Sequence, residues 1–339
     1  MNKKFRTKVS LAPYTTFHLG GEAAHFTEVE SAADMPALVD ESRRLGLPIF
    51  PLGGGSNIII TDQPLARVVL KMCIPGIEVV PDSSETLLHI GAGVNWDDTV
   101  AFAVERGLVG IEALSAIPGT VGAAPVQNIG AYGAELADVL ESVEVYDTQS
   151  SRHRTLGTTE CQFSYRDSIF KHEKGRYIIT AITLRLREGA PSVPRYPGVA
   201  ERLATYGVTE PTAANIRTAI TAIRWSKLPK PEETPNVGSF FKNPVIDSAT
   251  LARLLAMAPA APHFPTGKLV KMPAGWFIEQ VGFKGASFGR VGTHDRNAIV
   301  LMNRGGATFA DVVAARDRIA AAVREKFGVD LEMEPELVV

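Results

Sequence analysis

The sequence predicts an α+β protein built from more than one part, and three observations carry that reading. Complete helix patterns, with start and stop signals, are interspersed with β-branched runs bounded by glycine and proline. In the first half the strands come in runs instead of alternating strictly with helices, which argues against a doubly wound parallel sheet. The chain closes on a helical pattern followed by an alternating strand, which suggests a second, smaller α+β domain.

The elements follow in order. "DMPALVDESRRLGLP" opens at Asp34, has Pro36 near a first helical position and stops at Gly46 and Pro48, so it reads as a whole helix. "LPIFPLGGGSNIII" reads as strand, glycine turn, strand. "ETLLHIGAG" and "NWDDTVAFAVERGLVG" give a further strand, turn and helix, and "SVEVYDT", "RTLG" and "YIITAITLRLR" are strands. The proline-rich "EGAPSVPRYPGVAERL" is a linker or a loop that dips into a site, and "TAANIRTAITAIRWSK" is a helix. Phe309, Val313, Ile319, Val323 and Phe327 recur at near-helical spacing up to Gly328. In "VDLEMEPELVV" Val329, Leu331 and Met333 share one face of a strand, with Asp330, Glu332 and Glu334 on the other. There is no internal repeat.

Composition narrows the function. The chain has 339 residues, 45% hydrophobic and 21% charged, enough to bury a core without staples. A formal net charge of -2 favours neither nucleic acid nor an anionic membrane. Cys73 and Cys161 read as reduced core thiols, in keeping with a cytoplasmic protein. The basic start lacks the apolar stretch of a signal peptide, and no apolar run reaches the roughly 20 residues of a membrane span. No Walker phosphate loop, Rossmann fingerprint or zinc-protease motif occurs, and the seven histidines are scattered singly, so no metal centre is expected.

Two segments point to a ligand. Gly53, Gly54 and Gly55, followed by Ser56 and Asn57, can form a nest of backbone N–H groups that suits a diphosphate. The plainer reading is a glycine-rich hairpin. Pro118, Gly119, Thr120, Val121, Gly122 and Ala123 form a second turn that permits close approach, and small residues around it leave room for a flat ring whose edge Gln127 and Asn128 can meet. The plainer reading here is an Ala/Gly-packed core helix. Two such turns suit one long ligand with a diphosphate in its middle.

At this point a resemblance becomes specific. "TTFHLGG" at Thr15, "PLGGGSNIII" at Pro51, "AIPGTVGAAPVQNIGAYGAEL" at Ala116, "CQFSYRDSIFK" at Cys161, "GSFFKNP" at Gly238, "AGWFIEQVGFKG" at Ala274 and "EPELV" at Glu334 run nearly the whole chain in order. Together they resemble the UDP-N-acetylenolpyruvoylglucosamine reductase family, in its longer, type I branch. The resemblance implies an FAD-binding domain of the vanillyl-alcohol-oxidase type in two subdomains, 1–72 and 73–198, and a substrate domain over 199–339. It implies non-covalent FAD held by the two turns and Tyr132, with NADPH as reductant and a small nucleotide-sugar substrate of peptidoglycan precursor synthesis. A monomer is expected.

The resemblance also implies roles. Hydride passes from NADPH to the flavin and then to an enolpyruvyl double bond. Arg166 and a C-terminal glutamate stabilise the enolate and Ser239 donates the proton. By the motif the glutamate is Glu336, with Glu334 the rival. Tyr165, Tyr196, Lys227, Asn243 and Gln280 align with substrate contacts, Tyr206 being the alternative loop tyrosine. From the residues alone the plainer readings win: Arg166 as an ion-pair partner of Asp167 or another acid, and Ser239 as a buried hydroxyl bonded to a strand backbone. Strand parity puts Asn243 on the face of Ser239 and Lys242 on the other. A flavin-dependent oxidase of the same fold and a non-enzymatic nucleotide-sugar binder are the rival functions.

Overall fold

The computed structural model describes residues 5–82, 85–196 and 198–339. The basic start, Met1–Lys4, and Pro197 of "RYPGV" lie outside the described residues. The chain forms two compact units. The first takes the N-terminal residues to Val9, Glu22–Gly55 and Pro64–Ser226; the second takes Ser10–Gly21, Ser56–Gln63 and Lys227–Val339. The boundary expected after residue 198 therefore falls after Ser226, and two N-terminal segments cross to the second unit.

The first unit holds two large sheets and a two-stranded one, Gly130–Ala131 with Ala134–Glu135. One large sheet runs Arg6–Ser10, Glu22–Val29, Leu65–Met72, Ile49–Leu52 in spatial order. Its last three strands are parallel, because the helix Met35–Leu45 makes a crossover and Leu65–Met72 fills the gap between the strands it joins. The run of strands in the sequence did not disclose that crossover. Pro36 sits in the first turn of the helix and Gly46, at φ 66°, ends it, as the caps predict. The larger sheet orders Arg152–Gly157, Leu140–Asp147, Tyr177–Glu188, Glu85–Gly91 and Ile77–Asp82, all antiparallel. Helix Trp96–Glu105, capped by Asn95 Oδ1 at 2.8 Å from Asp97 N, buries Trp96, Val100 and Ala103 in the same core as Leu88, Ile90 and Ile182. Helices Val199–Thr205 and Ala213–Lys227 form a small core of their own through Val199, Leu203, Ile216 and Ile220.

The second unit is built around helix Phe309–Phe327. Thr308 and Asp311 cap it reciprocally, and Gly328, at φ 62°, closes it. Its buried stripe is Val312, Ala315, Ile319, Val323 and Phe327, so Val312 takes the inward place expected for Val313. Trp276, Phe277 and Phe327 meet with centroids 5.0–5.5 Å apart. A sheet of Asn236–Ser239, Val300–Asn303, Val291–Thr293 and Ser287–Phe288 packs into this core. A separate parallel pair joins Ile58–Ile60 to Glu336–Val338. The terminal alternation places its faces correctly: Val329 is buried, Leu331 and Met333 pack on the core, and Glu332 is exposed. It is not one strand, however. Residues 332–334 bond to 240–242, and only Glu336–Val338 pairs with Ile58–Ile60.

Candidate active site

In the first unit the two turns singled out in the sequence lie against each other. A Cβ on Gly54 would stand 2.6 Å from Gly119 Cα; one on Gly53 would stand 2.7 Å from Thr120 Oγ1 and 2.9 Å from Ala123 Cβ. Close backbone approach therefore requires glycine at both, whereas at Gly55 (φ 64°) and Gly119 (φ 125°) the left-handed backbone does. The hairpin reading fails, since Ile49–Leu52 pairs with Leu65–Met72 and Ile58–Ile60 with the C-terminal strand. The second turn is pinned by Trp96 N to Gly119 O at 3.1 Å, Val121 N to Val94 O and Gly122 N to Ala92 O, both at 2.9 Å. Beyond it, Val121–Gln127 is a 3₁₀ helix, not a core α-helix. Thr120 Oγ1 is buried and has no hydrogen-bond partner among the described residues. Such a hydroxyl costs on the order of 1–3 kcal/mol, which a ligand acceptor or donor would offset.

Asn128 departs from expectation. Its amide donates to Glu135 Oε2 at 2.8 Å and Ser164 O at 3.3 Å, and its oxygen accepts from Ala137 N at 3.0 Å. Both N–H groups have acceptors within the protein, so Asn128 braces the segment. Tyr132 packs on the small helical core, and burial pushes its phenol pKa up. Tyr196 meets it edge-on at 4.9 Å, while Tyr206 caps helix Val199–Thr205 through its backbone. The structure thus groups Tyr196, not Tyr206, with a predicted site residue.

Arg166 is third in a four-residue turn closed by two 3.1 Å bonds between Ser164 and Asp167. Its φ is 56°, a place where tight turns favour glycine, so an arginine there carries on the order of 1–3 kcal/mol of strain. Its Nη2 donates to Gly130 O at 2.6 Å and Lys171 Nζ donates to its carbonyl at 2.7 Å. Asp167 instead pairs with His172 at 2.8 Å and not with Arg166. Tyr165 lies beside the guanidinium, 5.4 Å from carbon to ring centroid.

In the second unit Ser239 ends a bulged strand. Asn236 pairs with Met302 and Ser239 with Val300, leaving two residues opposite one. Gly238 takes φ 71° in the bulge and its N–H donates to Asn236 Oδ1 at 2.8 Å. The strand stops there, so the parity expected from Ser239 to Asn243 breaks at Phe240. Lys242 pairs with Glu332. Asn243 Oδ1 accepts from Ala274 N at 2.9 Å, at the start of helix Ala274–Gln280. Phe240 O accepts from Glu334 N and Asn57 O from Glu336 N, each at 2.9 Å, while Asn57 Nδ2 reaches Glu334 O at 3.4 Å. These bonds set both candidate glutamates on segments that border Phe240 and Asn57. Gln280 is exposed at its helix end, its carbonyl held by Lys326 Nζ at 2.5 Å; Lys227, also exposed, ends helix Ala213–Lys227.

Residues 230–338 match the family described as UDP-N-acetylenolpyruvoylglucosamine reductase, C-terminal domain, and residues 23–156 match an FAD binding domain. A UDP-N-acetylenolpyruvoylglucosamine reductase of Dechloromonas aromatica is 45% identical over 338 residues, 97% of this chain and 98% of that protein. One from Pseudomonas aeruginosa is 42% identical over 340 residues, 99% of this chain and all of that one. The chain belongs to the UDP-N-acetylenolpyruvoylglucosamine reductase family.

The crystal structure of the reductase from Thermus caldophilus aligns over 99% of this chain and 100% of its own at a TM-score of 0.70 and 24% identity. A solvent-stable cholesterol oxidase shares the fold more distantly, at TM-score 0.50 and 11% identity over 98% of this chain and 86% of its own. The α+β class, with an FAD-binding region and a C-terminal domain, is therefore that of the family. As a member of this reductase family the chain is an FAD-dependent oxidoreductase. Its residues fit the cofactor: glycine at 53 and 54 lets the two turns abut, where a Cβ would collide with the second turn, and among the described residues the buried Thr120 hydroxyl beside them lacks a partner. Among the described residues no group of His, Cys, Asp or Glu could hold a metal, and no helix is long and apolar enough to cross a membrane.

Sequence reasoning missed several residues that build this region. Asp97 accepts from Ala116 N at 2.6 Å, where the chain enters the second turn, and is gripped by Arg217. Lys71 bonds to Gly53 O. Its only signal was a lysine inside the apolar run "VVLKMCI".

Proposed function

We propose that the enzyme reduces UDP-N-acetylglucosamine enolpyruvate to UDP-N-acetylmuramate, with NADPH as reductant, supplying peptidoglycan precursor in the cytoplasm. The observation that carries this is the end-to-end likeness to curated reductases, 45% identical over 97% of the chain. Bound non-covalently by the two glycine turns, FAD would supply two-electron, hydride-level chemistry between NADPH and the enolpyruvyl double bond.

The chain's own residues do the rest. Gly53–Asn57 offers backbone N–H groups to the diphosphate, and Pro118–Ala123, with Gln127 and Tyr132, borders the flavin. Arg166 presents a forked cation to the substrate carboxylate, where negative charge grows as the double bond is reduced. Its strained turn and its bond to Gly130 O support a held, not a roaming, guanidinium. Glu336 acts with it. Ser239 gives the proton to the carbon that carries the ether oxygen, so one hydride and one proton saturate the double bond. The bulge at Gly238 supports this role, since bulges re-aim the side chains that follow them. Tyr196 and Lys227 hold the substrate diphosphate, with Tyr165, Asn243 and Gln280 as further contacts. Asn243 keeps its NH₂ end for this, its oxygen being tied to Ala274 N.

The test is NADPH oxidation in the presence and absence of enolpyruvyl-UDP-N-acetylglucosamine. Stoichiometric oxidation that depends on the substrate is expected. Oxidation that runs equally without it, with oxygen consumed, would replace the reductase by an oxidase.

A further inference from the structure

We propose that Lys71 is an additional FAD-holding residue: a cation behind the Gly53–Gly55 turn that orients its peptide groups and adds positive charge under the cofactor's diphosphate. This rests on the reading that Gly53–Asn57 holds that diphosphate.

Four observations support it. Lys71 lies in strand Leu65–Met72, in register with Leu52, the residue just before the turn. Its Nζ donates to Gly53 O. In a trans peptide the C=O and the following N–H point in opposite directions, so a hand on Gly53 O also sets the direction of Gly54 N–H. That N–H has no backbone partner among the described residues, and it faces away from Lys71, as a donor in an anion nest must.

The electrostatics agree. Lys71 is half-buried, and among the described residues no carboxylate oxygen lies within ion-pair distance of its Nζ. Glu28 is in register across the sheet but pairs with Arg6 at 3.0 Å. Cys73 is the other group of its own face. Burial draws the ammonium pKa down, and the weaker pull of Cys73 and Glu28 does not offset it. A desolvated cation without a counter-ion is costly, and a diphosphate over the turn would supply the missing negative charge. Lys71 thereby differs from a surface lysine, whose charge is already satisfied by water.

The experiment measures FAD dissociation constants on the deflavinated full-length chain by flavin fluorescence, at low and high ionic strength, for the parent, Lys71→Met, Lys71→Arg and Gly54→Val. Melting temperatures of the deflavinated proteins are recorded alongside. Lys71→Met should weaken FAD by about tenfold or more at low salt, with a smaller factor at high salt because a charge interaction is screened. Lys71→Arg should recover most of the loss, and the melting temperature without FAD should not change. Lys71→Met that binds FAD within threefold of the parent, while Gly54→Val does not bind it, overturns the role of Lys71 and leaves the turn standing. A loss equal at both salts and not recovered by arginine also overturns it, as lost packing. Gly54→Val that binds FAD normally removes the diphosphate from this turn and the proposal with it.

Discussion

Ser239 shows how much a single hydroxyl depends on the backbone that carries it. A serine is a weak acid, so the proposed proton transfer depends on its placement, and that placement is set by the Gly238 bulge. Ser239→Ala should leave reduction of the enzyme by NADPH nearly intact and slow reoxidation by substrate about 10²–10⁴-fold. Stopped-flow absorbance of the flavin resolves the two steps. Reoxidation at the parent rate would make Ser239 structural. Gly54→Val makes a second case. It should strip FAD from the purified protein, not through φ, since only Gly55 of the three glycines is left-handed, but because its Cβ would collide with Gly119 Cα. Absorbance at the flavin band per mole of protein checks this. At this scale the glycines were legible because no other residue type tolerates such approaches. The commitments of Asn128 and Lys71 were not, because each depends on which distant segment lies beside it.

An ion pair joins helix Ala213–Lys227 to helix Trp96–Glu105. Arg217 grips both oxygens of Asp97, at 2.5 and 2.9 Å, and Ala116 N adds a third bond. Burial alone would raise the Asp97 pKa; the Arg217 hydrogen bond and Ala116 N–H outweigh it, and the carboxyl titrates below the ordinary aspartate value. The folded value is the lower one, so the contribution to stability is present above about pH 4, the unfolded range, and is lost as pH falls through the folded value. Arg217→Ala should cost about 1–2 kcal/mol at neutral pH, a charge-assisted bond discounted for partial exposure, and this difference should shrink below pH 4. Urea melts of parent and variant at pH 7 and 3.5 measure both. Helix limits were legible, because Asn95, Gly46, Thr308 and Gly328 are local signals. The break at Phe240 was not. The bulge and the bonds of residues 240–242 to 332–334 are long-range choices that local periodicity does not record.

At the scale of the molecule, composition foretold a large apolar interior, and the second unit shows one charge-sensitive point within it. His294 is buried, with Asp295 and Arg296 beside it, and Arg296 N donates to its Nδ1. Burial lowers its pKa from the ordinary 6.5, a shift that the opposing pull of Asp295 does not cancel. Below that value the unfolded chain takes up a proton that the folded one resists, so stability should fall as pH drops below 6.5. Melting temperature between pH 7.5 and 5.5 should decline less steeply in His294→Gln than in the parent. A parallel decline would free His294 of that role. The domain plan was legible only in outline. Hydrophobic pattern marks a core but not its membership, and nothing local in "TTFHLGG" or "SNIII" says that these segments join residues 227–339.

That membership sets an order of events during synthesis. Ile58–Ile60 leaves the ribosome early, yet its strand partner is Glu336–Val338, and Asn57 and Glu334 stand 277 residues apart in sequence. At about 5–20 residues per second the first strand waits on the order of tens of seconds for the second. Through that interval a β-branched edge, "NIII", has no mate in the growing polypeptide and is open to pairing with another nascent chain. A ribosome stalled before residue 334 should therefore hold the 56–63 segment in a protease-sensitive form, while residues 64–226 are already protected. Limited proteolysis of arrested chains, with and without the last six residues, reads this directly.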